Sequence, residues 1–339
     1  MKCRGKNIIS VGIVAFYMCI TITHCFFFST NFNKILSTKV IVAHFYSFTV
    51  LFGCVIGLTS AVALVLRIHK NGYKNLSFWL WGLALITSAV LIVFGINPTK
   101  NTDIYTDNNI KIVEWNVENK LEGKDIYKIF GEFDADIAVF PELEGYYKGD
   151  PADNRLKELF ETIHIDYSKY EVFTSAPTSG DIAPVTLVTK KSFSKYIDTK
   201  QSLMTQFGTI YLKSTNEDMP DIIGLHTAPP LLGFMSNWNR DLNVISSNII
   251  LDNPKAIIIG DFNATLRHGA LNHITTHEDV LDYLSRFRRG TWHSRLPIWM
   301  STSIDHVLIP KDTCRVKKVD VLKLGESDHR AIFVEISKS

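Results

Sequence analysis

The sequence predicts an α/β protein in two parts: three membrane-spanning helices, then a four-layer α/β sandwich of two packed sheets flanked by helices. Three observations carry this. The first 99 residues contain no Asp or Glu and hold three long apolar stretches. From residue 108 onward, short apolar runs alternate with amphipathic stretches, the pattern of sheets covered by helices. Ten of these runs read as strands, against about four helices, too many strands for one doubly wound sheet.

The apolar stretches are residues 8–28, 40–66 and 76–96, each long enough for the roughly 20 residues that a bilayer crossing requires. A cleaved signal peptide fits the first poorly, since Cys25-Phe26-Phe27-Phe28 lacks a small-residue cleavage pattern. Tyr73, Trp79 and Trp81 suit an interfacial belt at the start of the third. Lys2, Arg4, Lys6, Arg67, Lys70 and Lys74 flank one side of the spans, against Lys34 and Lys39 on the other. The positive-inside bias therefore puts the N-terminus in the cytoplasm and everything after the third span on the outer face. Residues 1–97 form the anchor, 98–107 a polar linker and 108–339 a second domain.

In that domain strands are expected at 110–117, 136–142, 170–174, 185–189, 208–213, 221–227, 256–262, 304–309, 316–323 and 331–336, and helices near 123–133, 152–164, 237–251 and 277–287. Eight of the 36 Lys and Arg precede residue 100, so residues 100–339 keep 28 cations against all 34 acids, a net of −6. That balance lacks the basic footprint of a non-specific nucleic-acid binder. Cys314 stands alone there, so neither an internal disulfide nor a thiolate metal cluster can form in this part.

Six strand ends carry polar residues that core packing does not require. They are Trp115-Asn116-Val117-Glu118, Pro141-Glu142-Leu143-Glu144, Leu225-His226-Thr227-Ala228-Pro229, Gly260-Asp261-Phe262-Asn263, Ile304-Asp305-His306-Val307 and Ser327-Asp328-His329-Arg330. Each alone has an ordinary explanation as a cap, a turn or a satisfied buried histidine. In this order and at these positions, however, they resemble the endonuclease/exonuclease/phosphatase superfamily, which contains pancreatic DNase, abasic-site endonucleases, inositol-polyphosphate 5-phosphatases and neutral sphingomyelinases. The resemblance covers about residues 108–338. Leu-His-Thr-Ala-Pro is most similar to the DNase branch, and the triple span to bacterial membrane-anchored members.

The resemblance implies a metal-dependent hydrolase of a phosphodiester or phosphomonoester on the extracytoplasmic side of a bacterial inner or plasma membrane. Its substrate is a lipid head group or a nucleic acid, and no protein partner is implied. A membrane-anchored endonuclease and a non-catalytic sensor keeping the fold are the competing readings. Glu142 and Asp328 are hard oxygen donors suited to Mg²⁺, with Mn²⁺ an alternative, and Asn116 adds a neutral oxygen. Asp305 is the expected partner that holds the tautomer of His329. Asp261 and Asn263 orient or deprotonate the attacking water and bind phosphate, and His226 is a phosphate ligand or general acid; the base is His329 or Asp261. Gly260 lets the chain pass close to a bound phosphate. Glu118, Arg288 and Trp292 are candidate substrate contacts, Arg288 also reading as part of a solvated helix face. His306 points away from its neighbour Asp305 and is structural. His268, His273, His277 and His293 invite a zinc reading that lacks a third ligand at convincing spacing. Substrate selectivity is expected in the loops at 144–151 and 176–183.

Overall fold

The computed structural model describes residues 2–27, 29–69, 76–102, 109–148, 150–176, 182–200 and 205–338, with side chains from residue 11. Five helices come first: α1 Lys2–Phe26, α2 Asn31–Leu36, α3 Val40–Ser47, α4 Thr49–His69 and α5 Leu76–Phe94. Two of them, α4 and α5, are long and apolar enough to cross a membrane, not the three expected. The described apolar part of α1, Val11–Phe26, is shorter than a span needs, and Phe28 lies outside the described residues. The expected span at 40–66 is two helices, broken at Phe48, where φ is −105° and ψ is 43°. The break lets α3 leave the direction of α4 and pack against the second domain, where buried Ala43 joins the cluster around Trp238, Leu242 and Phe262.

Helices α4 and α5 form an antiparallel hairpin. Gly53 and Gly57 are four apart and so share one face; a Cβ there would stand 2.6 Å from Ile92 Cγ1 and 2.8 Å from Ser88 Oγ. This is the small-xxx-small device by which apolar helices approach closely. Arg67 Nε donates to Ser77 Oγ at 2.9 Å near the far end of the pair.

The strands are β1 Asn109–Glu114, β2 Ile137–Phe140, β3 Tyr170–Thr174, β4 Thr186–Lys190, β5 Tyr196–Asp198, β6 Thr209–Ser214, β7 Ile222–His226, β8 Ile257–Asp261, β9 His277–Asp279, β10 Asp305–Pro310, β11 Cys314–Leu322 and β12 Ala331–Lys338. Every expected strand has a counterpart, and β5 and β9 are additional. They make two six-stranded sheets, ordered β11-β12-β1-β2-β4-β3 and β5-β6-β7-β8-β10-β9. Within them β1 pairs β2 in parallel and β7 pairs β8 in parallel. Ile112, Val139 and Leu187 of one sheet and Leu212, Ile257 and Val307 of the other belong to the core between them.

Helices α6 Gly123–Ile126, running on as a π-helical turn to Glu132, and α7 Asp153–Thr162 cover the outside of the first sheet. Glu122 and Asp125 form a capping box at the start of α6. Helix α8, Met235–Val244, extends through Asp252 and covers the second sheet with Trp238, Leu242, Ile245 and Ile249, a helical spacing of three to four. The helix expected at 277–287 does not form. His277–Asp279 pairs instead with Leu308–Pro310 of β10, and the Asp279 side chain, accepting from Leu281 N at 3.0 Å, caps only a short 3-10 turn, Val280–Tyr283.

The linker is fastened to the domain rather than free. Lys100 Nζ pairs with Glu278 at 2.7 Å, and buried Arg289 donates to the carbonyls of Asn97 and Pro98 at 3.0 and 3.3 Å. Residues 103–107 of the linker lie outside the described residues.

Candidate active site

The parallel strands β1, β2, β7 and β8 end at one edge of the two sheets, where the antiparallel β10 and β12 begin. Asp305 is opposite Asp261 in the β10–β8 register, and His226 is beside Asp261 in the β7–β8 register. Strand geometry thus brings together residues that lie far apart in sequence.

His329 and Asp305 form a buried pair, with Nδ1 donating to both carboxylate oxygens at 3.0 and 2.9 Å. The opposite ring nitrogen, Nε2, faces Asp261 Oδ2 at 3.8 Å and Asp328 Oδ1 at 3.7 Å. Burial works against the imidazolium, but Asp305, then Asp261 and Asp328, override it and hold the ring up at about 10. Burial, with Asp305 adding, pushes Asp261 up to about 6 against the pull of His329 and His226. Asp261 Oδ1 accepts from Asn263 N at 2.7 Å, and Asn263 Nδ2 donates to Thr227 O at 2.9 Å and lies 3.3 Å from His226 Nε2. Burial lowers His226 as well, so this ring is neutral beside a charged one.

Asn116 Nδ2 donates to Glu142 Oε1 and to Asp261 Oδ2, both at 3.0 Å, while its Oδ1 accepts from Glu118 N at 3.0 Å. In this arrangement Asn116 sets the spacing of the carboxylates and turns its amide nitrogen, not its oxygen, toward them. Glu142 and Asp328 stay 23% and 27% exposed, within reach of a hydrated cation. Glu142 is raised by burial, and the Asp328 and Glu118 charges add to it. A divalent cation relieves a carboxyl raised by burial and neighbouring charge, so Glu142 with Asp328 beside it fits Mg²⁺ or Mn²⁺. Asp261, Asp305 and His329 also converge closely enough for a metal, but the His329 proton already lies between that ring and Asp305, and all three are buried. The more open Glu142–Asp328 pair is the better cradle.

Three of these positions carry positive φ: Glu118 at 49°, Glu142 at 59° and Asn263 at 45°. Such angles cost about 1 kcal/mol or more for residues with a Cβ and gather at functional sites. Gly260 has φ 148°, and a Cβ there would stand 1.9 Å from Leu225 O. The close approach of β8 to β7 therefore requires glycine here.

Glu118 belongs to the site, its Oε2 accepting from Asp328 N at 3.2 Å. Trp292 belongs to it as a positioning group, since Nε1 donates to Asp328 Oδ2 at 3.0 Å. Arg288 does not join them: it pairs with Asp320 of β11 at 3.1 Å on the surface, because the helix expected around it is absent. The neighbouring Arg289 holds the linker and Asp282. His306 faces away as expected, bridging Asp279 Oδ2 at 2.7 Å and Ala264 O at 2.8 Å. The four zinc candidates do not converge among the described residues; His268 bridges Thr265 N and Ala43 O, and His277 meets Ala256 O. Residues 149 and 177–181 of the two selectivity loops lie outside the described residues.

Glu114 is a component that sequence reading missed. It is wholly buried, and burial, then Asp305 and Asp261, push it well above the usual carboxylate range. Its signal was a lone acid inside the apolar run Ile110–Trp115.

Residues 113–329 match the model of the endonuclease/exonuclease/phosphatase family. The chain is similar to an endonuclease/exonuclease/phosphatase from Beutenbergia cavernae, with TM-score 0.51 and 11% identity over 69% of this chain and 72% of that one. It is also similar to TDP2 of D. rerio, solved with a single-strand DNA product, with TM-score 0.49 and 16% identity over 68% of this chain and all 100% of that one. Among curated proteins no relative matches.

Proposed function

Since the chain belongs to the endonuclease/exonuclease/phosphatase family, we propose that it is a divalent-cation-dependent phosphoester hydrolase held by its N-terminal helices at the outer face of a membrane. The observation that carries this reading is the convergence of Glu142, Asp328, Asp261, His226 and the Asp305–His329 pair at one edge of the two sheets. Mg²⁺ on Glu142 and Asp328 would polarise a phosphoryl oxygen and offset charge on the leaving oxygen. Asn116 spaces Glu142 from Asp261.

Asp261 is the general base of this reading. It is fixed by Asn263 N and Asn116 Nδ2 and has no proton donor of its own to satisfy, whereas both ring nitrogens of His329 face carboxylates. His329 acts as a fixed cation opposite the charge that develops on phosphorus oxygens. His226 and Asn263 bind a phosphoryl oxygen from the other side.

The outward placement rests on the α4–α5 hairpin. Arg67, Lys70 and Lys74 lie in the sequence between the bodies of α4 and α5, so the positive-inside bias leaves the Thr49 and Phe94 ends, and with them the catalytic domain, outside. Carboxy-terminal fusions check it: alkaline phosphatase activity at residue 339 is expected, and fluorescence of a cytoplasmic reporter there would overturn the placement. Activity is tested on the full chain with Mg²⁺ or EDTA, using bis-p-nitrophenyl phosphate, plasmid DNA and phospholipids. Turnover that is lost with EDTA and in His329→Ala is expected. No metal-dependent turnover on any substrate, with His329→Ala equal to the parent, would sink the hydrolase reading. Cleavage of plasmid alone would make the chain a nuclease.

A further inference from the structure

Two apolar features flank the site. Phe48, the residue before α4 begins at Thr49, lies with its ring 6.0 Å from Trp292, and Trp292 Nε1 donates to Asp328 Oδ2 at 3.0 Å. A candidate metal ligand is thus two side chains from the start of a helix able to cross a membrane. Beyond His226, the turn Pro229–Phe234 carries Leu231 at 52% and Leu232 at 84% exposure. The turn is ordered, with Leu231 N bonded to Pro229 O at 2.8 Å and Phe234 N to Leu231 O at 2.9 Å, so both leucines are presented to the exterior by a defined backbone. Phe234 lies 6.0 Å from Phe207, which lies 5.1 Å from His226.

This turn is continuous with the anchor. Helix α8 starts directly after it and shares its buried cluster with Ala43 of α3, and a Cβ added at Gly269 would stand 3.1 Å from both Leu242 of α8 and Thr38 of the anchor. Phe32, Ile35 and Ile41 of α2 and α3 are exposed as well. Such an arrangement, apolar groups outward on short helices beside a span, is that of elements lying in a bilayer interface.

From these contacts we infer that the catalytic cleft opens onto the bilayer surface and that Leu231 and Leu232 enter it, so that the substrate is a phosphoester of a membrane lipid taken from the outer leaflet. The inference rests on the hydrolase reading above for its chemistry and on the two leucines and Phe48 for its orientation. The net charge of −6 over residues 100–339 accords with it, since a polyanionic nucleic acid gains nothing from such a domain.

The test uses the full chain in nanodiscs. Turnover of phosphatidylglycerol, phosphatidylcholine and sphingomyelin in the disc is compared with turnover of soluble bis-p-nitrophenyl phosphate, for the parent and for a variant carrying Leu231→Ser and Leu232→Ser. At least a ~10-fold fall on lipid with bis-p-nitrophenyl phosphate unchanged is expected. No change on lipid, an equal fall on both substrates, or a parent that cuts plasmid but no lipid would overturn the lipid inference and leave the hydrolase reading standing. Loss of turnover on every substrate in the parent would strike the hydrolase reading itself. Insertion is read without activity by Leu232→Trp: its added emission is expected to be quenched by lipids brominated on their acyl chains, and emission equal in brominated and plain lipid would overturn the orientation.

Discussion

Both carboxylate oxygens of Asp305 lie within 3.0 Å of His329 Nδ1, from the first residue of β10 to the residue two before β12. Two strands from different sheets thereby fix one imidazole in one orientation. Asp305→Asn keeps the shape but can donate to Nδ1 and so favour the wrong tautomer. It is expected to lower kcat by about 10²–10⁴ with an unchanged fold. Steady-state rates with circular dichroism check this, and a kcat within a factor of two or so of the parent would remove the pair from the mechanism.

Asn116 donates to both Glu142 and Asp261. Asn116→Ala is expected to raise the Mg²⁺ concentration for half-maximal activity about 10- to 100-fold, as loss of a group that orients metal ligands does. Glu142→Gln is expected to abolish the Mg²⁺ response. Calorimetric titration with Mg²⁺ reads the same two effects without substrate.

Gly260 leaves no room for a side chain against Leu225 O. Gly260→Ala is expected to destabilise the domain by about 3 kcal/mol or more, since the parallel β7–β8 pairing has to open or β8 has to shift. Thermal unfolding in detergent is the measurement, and a melting temperature within a degree or so of the parent would contradict the close approach.

His306 has acceptors on both ring nitrogens, Asp279 Oδ2 and Ala264 O, and so holds two protons. Burial opposes the charge, but Asp279 outweighs it and raises the ring above its ordinary value. A raised folded value means that the stability from this charge is fully present below about pH 6.5, the unfolded value, and is lost as pH rises through the folded one. Unfolding free energy is therefore expected to fall across that window. His306→Gln should flatten the fall and destabilise by about 3–5 kcal/mol, because it leaves Asp279 buried without its cation. A parent and variant with the same pH slope would refute the assignment.

Burial holds Glu114 neutral, with Asp305 and Asp261 adding to it. Glu114→Gln, which copies the protonated shape, is expected to unfold within about 1 kcal/mol of the parent. Glu114→Asp, which moves the carboxyl back and opens a gap, is expected to cost more. Urea titrations of the two variants check the order.

The layers of the sandwich, its strands and most of its candidate site were legible in the sequence by itself, because apolar runs bounded by Asn116, Glu142, His226, Asp261 and Asp305 are local patterns. Burial of the central strands on both faces forces them, and chemistry at the strand end interrupts them. What only tertiary structure decided lies between segments distant in the chain. Phe48 breaks the expected span because α3 gains a packed partner in α8. The chain at 277–287 leaves helix because β10 offers it an edge to pair with. Arg288 and Arg289 look alike in sequence, yet one meets Asp320 on the surface and the other the linker carbonyls. Gly260 answers to Leu225 O across a parallel pairing, and Asn116 spaces acids that lie 26 and 145 residues away. Periodicity and motif spacing record what a residue does for its own segment; which partner a distant segment supplies is set by packing alone.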